Sequence, residues 1–176
     1  FDLDSLQPQS LVRAWEMKGG LYGINRDFDT VALFYNKAVF DRFKRPYPDK
    51  TWDWNRVLDE ARKMTRDLDG DGRTDIWGFL VQVAPQTQTY DMIWSFGGEV
   101  ISEDEETSLL DRPEAVKAIQ FNADLIFKHK VAPPLTSSLG WDAELFKKGV
   151  MAMYTEGSWM VPYFQRVENL DWDVAP

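Results

Sequence analysis

Short apolar runs alternate with longer amphipathic segments along this chain, and that alternation is the strongest constraint on its fold. Strands are predicted for the apolar runs at 21–25, 31–35, 77–83 and 150–155. Helices are predicted at 51–67, 88–98, 113–132, 141–148 and 158–167. The run at 77–83 is apolar enough to be buried on both faces. Strands and helices in this order predict an α/β domain.

Two of the predicted helices are amphipathic, which assigns their buried faces. Thr51 is expected to cap the first helix, and Pro113 suits the first turn of the second, where a missing amide hydrogen costs no helical hydrogen bond. Residues three or four apart lie on the same face of a helix. The predicted core stripes are Trp54, Val57, Leu58, Ala61 and Met64 on the first helix and Val116, Ile119, Ala123 and Ile126 on the second.

The composition excludes several classes of function. The 176 residues carry a net charge of −9 with no run of Lys or Arg longer than two, so nucleic acid and anionic membranes are not expected partners. The absence of cysteine excludes disulfides, thiolate metal sites and cysteine nucleophiles. No stretch approaches the roughly 20 apolar residues of a membrane span. A soluble domain with a neutral or cationic partner is expected.

The segment DLDGDGRTD at 67–75 has the spacing of a loop that binds a hard cation through oxygen ligands. Position twelve of the loop is Gly78 rather than a bidentate Glu, so Glu60, an acidic residue at 103–106 or water must complete the cage. Asp-Gly turns also occur on surfaces without metal. A structural calcium ion is the one predicted cofactor, with a plain surface turn as the alternative. The predicted ligands are the carboxylates of Asp67, Asp69, Asp71 and Asp75 and the carbonyl of Arg73.

Six motifs occur in an order that is typical of one protein family. They are LFYNKAVFDRF, KTWDWNRVLDEARKMT, WSFGGEV, DRPEAVKAIQFNADLIFKHKVAPP, ELFKKGVMAMYTEGSW and VAP. From about Leu21 onward the chain resembles the extracellular solute-binding proteins of ABC importers. The resemblance is specifically to the sugar-binding family 1, which includes the maltodextrin-binding proteins.

The resemblance implies a type II periplasmic-binding-protein-like lobe, with a mixed sheet flanked by helices and truncated at both ends. Residues 1–35 are expected to hold the end of the first lobe and a hinge, and residues 36–176 an incomplete second lobe. In such proteins a sugar is captured between two lobes and delivered to membrane permease subunits, without catalysis. The full-length protein is expected to be a monomeric, membrane-anchored lipoprotein in the periplasm or outside the cell.

Trp159 is the strongest candidate for sugar binding. The family places a stacking aromatic residue after a "G-S" or "G-P" pair, which here is Gly157 and Ser158. A strand that ends there brings backbone amides and an indole to the carboxyl end of a sheet, where open α/β sheets bind ligands. An indole face suits the apolar face of a pyranose. The alternative is a tryptophan buried in the core.

The other candidates are predicted from looser correspondences. Asp29 lies where the family's hinge offers a polar side chain to a sugar hydroxyl, although a solvated turn aspartate is an equal alternative. Tyr90 and Trp94 belong to the helix at 88–98, whose start contacts ligand in the family, and Trp94 is expected mainly in the core. Trp141 is interpreted as a packing residue that opens a helix, with a second sugar platform as the alternative.

Two other classes of function fit the sequence less well. A glycoside hydrolase needs two carboxylates facing one bond, and no such pair is marked by its sequence setting. His129 is the only histidine and follows a helix, so a Ser-His-Asp system around Ser158 has little support. A calcium-stapled carbohydrate-binding or adhesion module explains the acidic loop but leaves the ordered motifs unexplained.

Overall fold

The computed structural model describes residues 9–135 and 142–176, and contacts within the chain group them into two units, Phe1–Thr30 and Val31–Pro176. Trp141 lies outside the described residues. The lobe boundary predicted at residue 35 concerns the whole protein and stays a prediction. Among the residues that the structure describes, no helix is long and apolar enough to cross a membrane.

The first unit contains a short helix and a small hairpin. Helix α1 (Gln9–Arg13) precedes strands β1 (Glu16–Met17) and β2 (Gly20–Leu21), which pair antiparallel. The residues that join the two strands both have positive φ, which is typical of a tight hairpin turn. Regular strand structure ends at Leu21, and the strand predicted at 21–25 is wrong beyond that residue.

The second unit carries the main sheet and the helices that flank it. It also contains a π-helical turn at Pro85–Thr89 and a 3-10 turn at Ser158–Met160. The elements are β3 (Val31–Asn36), α2 (Lys37–Arg42), α3 (Trp54–Met64), α4 (Tyr90–Ser95), α5 (Pro113–Phe127), α6 (Asp142–Lys147), β4 (Met153–Gly157), α7 (Val161–Phe164) and β5 (Trp172–Ala175).

Strand β3 is the centre of a three-stranded sheet with the order β4-β3-β5. Both neighbours run antiparallel to it, and Val31 is opposite Gly157 while Leu33 is opposite Ala175. The start of β3 therefore meets the ends of β4 and β5, and we call this place the Val31 end of the sheet. An isolated parallel bridge between Trp77 and Met151 makes the pairing mixed, as the fold class predicts.

The segment 77–83 is buried as predicted but is not a regular strand. The Phe79 amide donates to the Val131 carbonyl at 3.1 Å, whereas the Leu80 amide donates to Met153 at 3.0 Å. Successive amides thus bond to different parts of the chain, which prevents a continuous ladder. Gly78 packs against α3 so closely that a Cβ atom there would overlap the backbone of Ala61.

Helix α3 begins two residues later than Thr51 predicts. The Asp53 side chain accepts a hydrogen bond from the Arg56 amide at 2.8 Å and caps the helix. Thr51 instead donates its amide and its hydroxyl to Asp49. The predicted core stripe is confirmed at four positions, which are buried: Val57, Leu58, Ala61 and Met64. Trp54 is partly buried and packs at the margin of this cluster.

The core stripe predicted for α5 is wrong at two positions. Val116 and Ile119 are 51% and 43% exposed. The helix turns its alanines inward, and Ala115 and Ala118 pack with Met92 and Ile93 of α4. Small side chains allow two helices to approach closely, and the apolar residues of α5 are spread too widely around the helix for periodicity to show this.

Alternating residues of β3 face two separate cores. Leu33 and Tyr35 join the cluster formed with α3 and the C-terminal half of α5. Phe34 joins the cluster formed with α6 and α7, where its ring lies 5.9 Å from that of Phe164. The sheet is therefore covered on both faces, and its Val31 end is where loops and strand ends gather.

Candidate ligand-binding site

Trp159 follows β4 at the Val31 end of the sheet, and its indole lies across the backbone of Gly157. A Cβ atom on residue 157 would overlap the six-membered ring, so this position requires glycine. The Trp159 side chain is 39% exposed, in contrast to Phe164 at 1%. Ser158 begins the 3-10 turn that carries Trp159. The end of β4 thus offers an accessible indole.

A cavity of about 520 Å³ opens at the same end of the sheet, on the side of α3 and α4. Trp94 is 51% exposed, so its assignment to the core is wrong. Helix α4 buries Met92 and Ile93 instead, which leaves Trp94 at the cavity, with the ring of Tyr90 6.0 Å away. The cavity is lined by Val31, Ala32, Leu33, Trp52, Asp53, Trp54, Val57, Asp91, Trp94, Ser95, Thr155 and Pro176.

Two polar atoms in the lining of this cavity have no hydrogen-bond partner among the described residues. They are Oδ2 of Asp91 and Oγ1 of Thr155, and both are buried. Burial raises the pKa of Asp91. An unmade hydrogen bond at a buried polar atom costs on the order of 1 to 3 kcal/mol, so these atoms point to donors outside the described residues. Asp91 was not singled out from the sequence, although an aspartate inside the apolar run YDMIW is a signal.

A polar cluster lies at the end of the segment 77–83 and is organised by the side chain of Gln82. Its Nε2 atom lies 2.9 Å from Asp142 Oδ2 and 3.5 Å from Glu156 Oε2. Its Oε1 atom accepts a hydrogen bond from the Thr87 hydroxyl at 2.6 Å. Glu156 directly precedes Gly157 and accepts the Gly157 amide at 2.8 Å. The structure thus brings together two carboxylates that the sequence does not mark as a pair.

The two carboxylates perturb the groups around them. Burial raises the pKa of Glu156, hydrogen bonds from Gly157 and Gln82 oppose this, and the charge of Asp142 raises it further. Burial also raises the pKa of Tyr154, with added contributions from the charges of Glu156 and Asp142. Neither acid was singled out from the sequence. A glutamine in the apolar run WGFLVQV was the available signal.

Asp29 belongs to the first unit and lies in a segment without regular structure. Its side chain is exposed. Nearby, Arg26 and Asp27 form an exposed ion pair at 2.7 Å. The role of Asp29 in ligand binding stays a prediction.

The acidic loop brings three of its predicted ligands together. One carboxylate oxygen from each of Asp67, Asp69 and Asp71 lies within 4.8 Å of the others. Asp75 instead accepts the Leu68 amide at 2.6 Å. Asp67 accepts two glycine amides of the loop, and these bonds lower its pKa. Carboxylate oxygens held together fit the oxygen chemistry of calcium, and the ion stays a prediction.

Glu60, which the sequence offers as a further calcium ligand, is fully occupied elsewhere. Its carboxylate is completely buried in α3 and pairs with Arg45, Arg56 and Lys63. A carboxylate neutralised by three cations is not available to a metal ion. This part of the calcium prediction is wrong.

Comparisons with known proteins identify the family. The Listeria monocytogenes ABC substrate-binding protein in complex with cycloalternan is 29% identical, with a TM-score of 0.83 over 99% of this chain and 43% of that one. A Brucella abortus binding protein is 27% identical over 90% of this chain and 38% of its own length. The maltotriose-binding protein of Pyrococcus abyssi is 25% identical over 93% of this chain and 32% of its own length.

Residues 5–176 match the model of the bacterial extracellular solute-binding protein family, and the chain belongs to that family. Its members are binding proteins, and the family implies a location in the periplasm or outside the cell. The fold is that of the type II periplasmic binding proteins, as the sequence predicts. The chain spans between 32% and 43% of the length of the three relatives described above.

Proposed function

We propose that the full-length protein captures a neutral sugar or oligosaccharide at the Val31 end of this sheet and delivers it to the permease of an ABC importer. The observation that carries the proposal is the exposed indole of Trp159, fixed across Gly157 at the end of β4. Two relatives support the ligand class, since one is complexed with cycloalternan and another is named for maltotriose.

The chemistry of the site suits a sugar. The face of an indole packs on the C–H face of a pyranose ring, and its N–H can bond a hydroxyl group. The carboxylates of Asp142 and Glu156 accept hydroxyl hydrogens, and such bonds to a charged acceptor are stronger than neutral ones. Tyr90, Trp94 and Asp29 are further proposed contacts, while Gly157 and Ser158 shape the backbone beneath the ligand.

We assign no catalytic step to the protein. The paired carboxylates share one amide donor, and Glu156 is also held by the Gly157 amide, an arrangement that fixes two acceptors side by side. A glycosidase places its carboxylates on opposite sides of the bond it cleaves. The remaining proposals are a monomer, a lipid anchor in the full-length form and, from the spacing of the acidic residues, a structural calcium ion in the loop at 67–75.

Isothermal titration calorimetry of the full-length protein with glucose, maltose, maltotriose and cycloalternan tests the proposal. Stacking and a few hydroxyl bonds in a closing cleft give roughly micromolar affinity. Chromatography of each mixture after prolonged incubation should recover the sugar unchanged. Binding of none of these sugars, or accumulation of a hydrolysis product over many turnovers, contradicts the proposal.

A further inference from the structure

We propose that Gln82 is a positioning residue that holds the carboxylates of Asp142 and Glu156 as a paired acceptor for ligand hydroxyl groups, and that this pair selects against anionic ligands. The inference rests on the proposed function, because it concerns the same end of the sheet. It adds the residues that set the charge class of the ligand.

The side chain of Gln82 contacts three other parts of the chain. Its amide nitrogen donates to Asp142 in the first turn of α6 and to Glu156 on β4. Its oxygen accepts from Thr87 in the π-helical turn before α4. Its own backbone amide donates to the Gln88 side chain, which in turn donates to Asn122 of α5 at 3.0 Å. Both carboxylates are therefore fixed by one side chain that is itself anchored.

The two carboxylates have no cationic partner in the parts of the chain that the structure describes. The nine ion pairs found there involve neither Asp142 nor Glu156. Both side chains are half-buried, at the boundary between the core and solvent. Because the amide of Gln82 is neutral, it orders the pair without cancelling its charge. A ligand therefore meets two negative acceptors.

The hydroxyl of Tyr154 is a second, independent sign that a ligand belongs here. It is completely buried and has no hydrogen-bond partner among the described residues. Tyr154 and Glu156 are two residues apart on β4, so their side chains lie on the same face of the sheet. A bridging ligand hydroxyl or ordered water supplies the missing bond.

This arrangement favours one class of ligand. A neutral sugar offers several hydroxyl hydrogens to carboxylate acceptors, and each such bond gains from the acceptor charge. A uronic acid or a phosphorylated sugar brings a negative charge beside two others in a partly desolvated site, where like charges repel strongly. The same site should therefore bind a neutral oligosaccharide and reject its oxidised counterpart.

The test uses the full-length protein and two probes: maltotriose, and maltotriose with one terminal C6 hydroxymethyl group oxidised to a carboxylate. The variants are Glu156→Gln, Asp142→Asn and Gln82→Leu, with Glu168→Gln as a control that removes one exposed charge elsewhere. Dissociation constants are measured by calorimetry for each probe. The unliganded melting temperature of every variant is recorded, so that a loss of folding is separated from a loss of binding.

We expect each of the three variants to weaken maltotriose binding about tenfold. Glu156→Gln and Asp142→Asn should also shift the ratio of the two dissociation constants about tenfold toward the oxidised probe, a change that a purely structural role does not produce. Glu168→Gln should leave both constants unchanged. If wild type binds maltotriose but the ratio of the two dissociation constants in Glu156→Gln and Asp142→Asn stays at the wild-type value, this inference is overturned while the proposed function stands. If wild type binds no sugar, the proposed function fails and the inference fails with it.

Discussion

Arg45 donates two hydrogen bonds to the buried carboxylate of Glu60, from Nε to Oε2 at 2.6 Å and from Nη2 to Oε1 at 3.0 Å. The Glu60 side chain is 0% exposed, and Arg56 and Lys63 of the same helix add further ion pairs at 2.9 and 3.0 Å. A buried charge is tolerated only when it is paired in this way. This cluster joins the loop after α2 to the middle of α3.

Replacing Glu60 with Gln should destabilise the protein by on the order of 3 to 5 kcal/mol, because three cations lose a buried counter-ion. Chemical denaturation of the unliganded protein measures the change in the free energy of unfolding. Asp59→Asn on the same helix is the control, since its exposed pair with Arg62 contributes roughly 0.5 kcal/mol. Equal effects of the two variants contradict a stabilising role for the Glu60 cluster.

The same cluster should make stability depend on pH. Burial alone raises the pKa of Glu60, but hydrogen bonds from Arg45 and Lys63 outweigh this and hold the pKa below its ordinary value of 4.5. The stabilisation is therefore fully present above 4.5 and is lost as the pH falls through the lowered pKa. Unfolding free energies measured across this range should fall more steeply for wild type than for Glu60→Gln. Parallel curves for the two proteins rule out this assignment.

Gly157→Ala should weaken sugar binding by displacing the indole of Trp159. The backbone at residue 157 has a φ of −84°, which alanine adopts freely, so the effect comes from the clash with the ring and not from backbone strain. A lost stacking contact is worth on the order of 1 to 3 kcal/mol of binding free energy. In a Trp159→Ala background the same change should have almost no further effect. Additive losses in the double variant argue against the displacement.

Trp159→Ala should reduce sugar affinity by a similar amount while changing unliganded stability little, because the side chain is partly exposed. Phe164→Ala is the matched comparison, since this ring is buried between Phe34 and Phe146 and its removal should cost on the order of 3 to 5 kcal/mol of folding free energy. Denaturation midpoints and sugar dissociation constants are measured on both variants. A large stability loss with unchanged affinity for Trp159→Ala identifies it as a packing residue.

Calcium should raise the melting temperature of the full-length protein if the loop at 67–75 binds it, because a ligand of the native state stabilises that state by mass action. Asp69→Asn should abolish the shift and leave sugar preference intact, whereas Asp111→Asn, an exposed aspartate in another loop, should retain it. Thermal denaturation in calcium and in chelator gives the comparison. Identical melting temperatures in the two buffers refute the metal.

Sequence patterns within one helix or strand predicted the fold well, whereas they did not predict the contacts between helices and strands. The period of α3 assigned Val57, Ala61 and Met64 to the core, since a single apolar stripe leaves one choice of face. Helix α5 has apolar residues on several faces, so its buried face depends on how closely α4 approaches. The distance between α4 and α5 cannot be predicted from the sequence of α5 alone.

The candidate site divides in the same way. Trp159 could be placed from the sequence, because a strand followed by glycine locates its own end. The grouping of Gln82, Asp142 and Glu156 could not, since these residues come from three elements separated by 60 and 14 positions along the chain. Only the pairing of β4 beside the segment 77–83 brings them together.

The close approach of Gly78 to Ala61 sets how far the segment 77–83 can lie from α3. A larger residue at position 78 would push the segment outward, and Gln82, four residues further on, would move with it. On the proposed role of Gln82, a substitution where this segment meets α3 should therefore alter which charge a ligand can carry. The spacing of the core would then be one of the determinants of ligand selectivity.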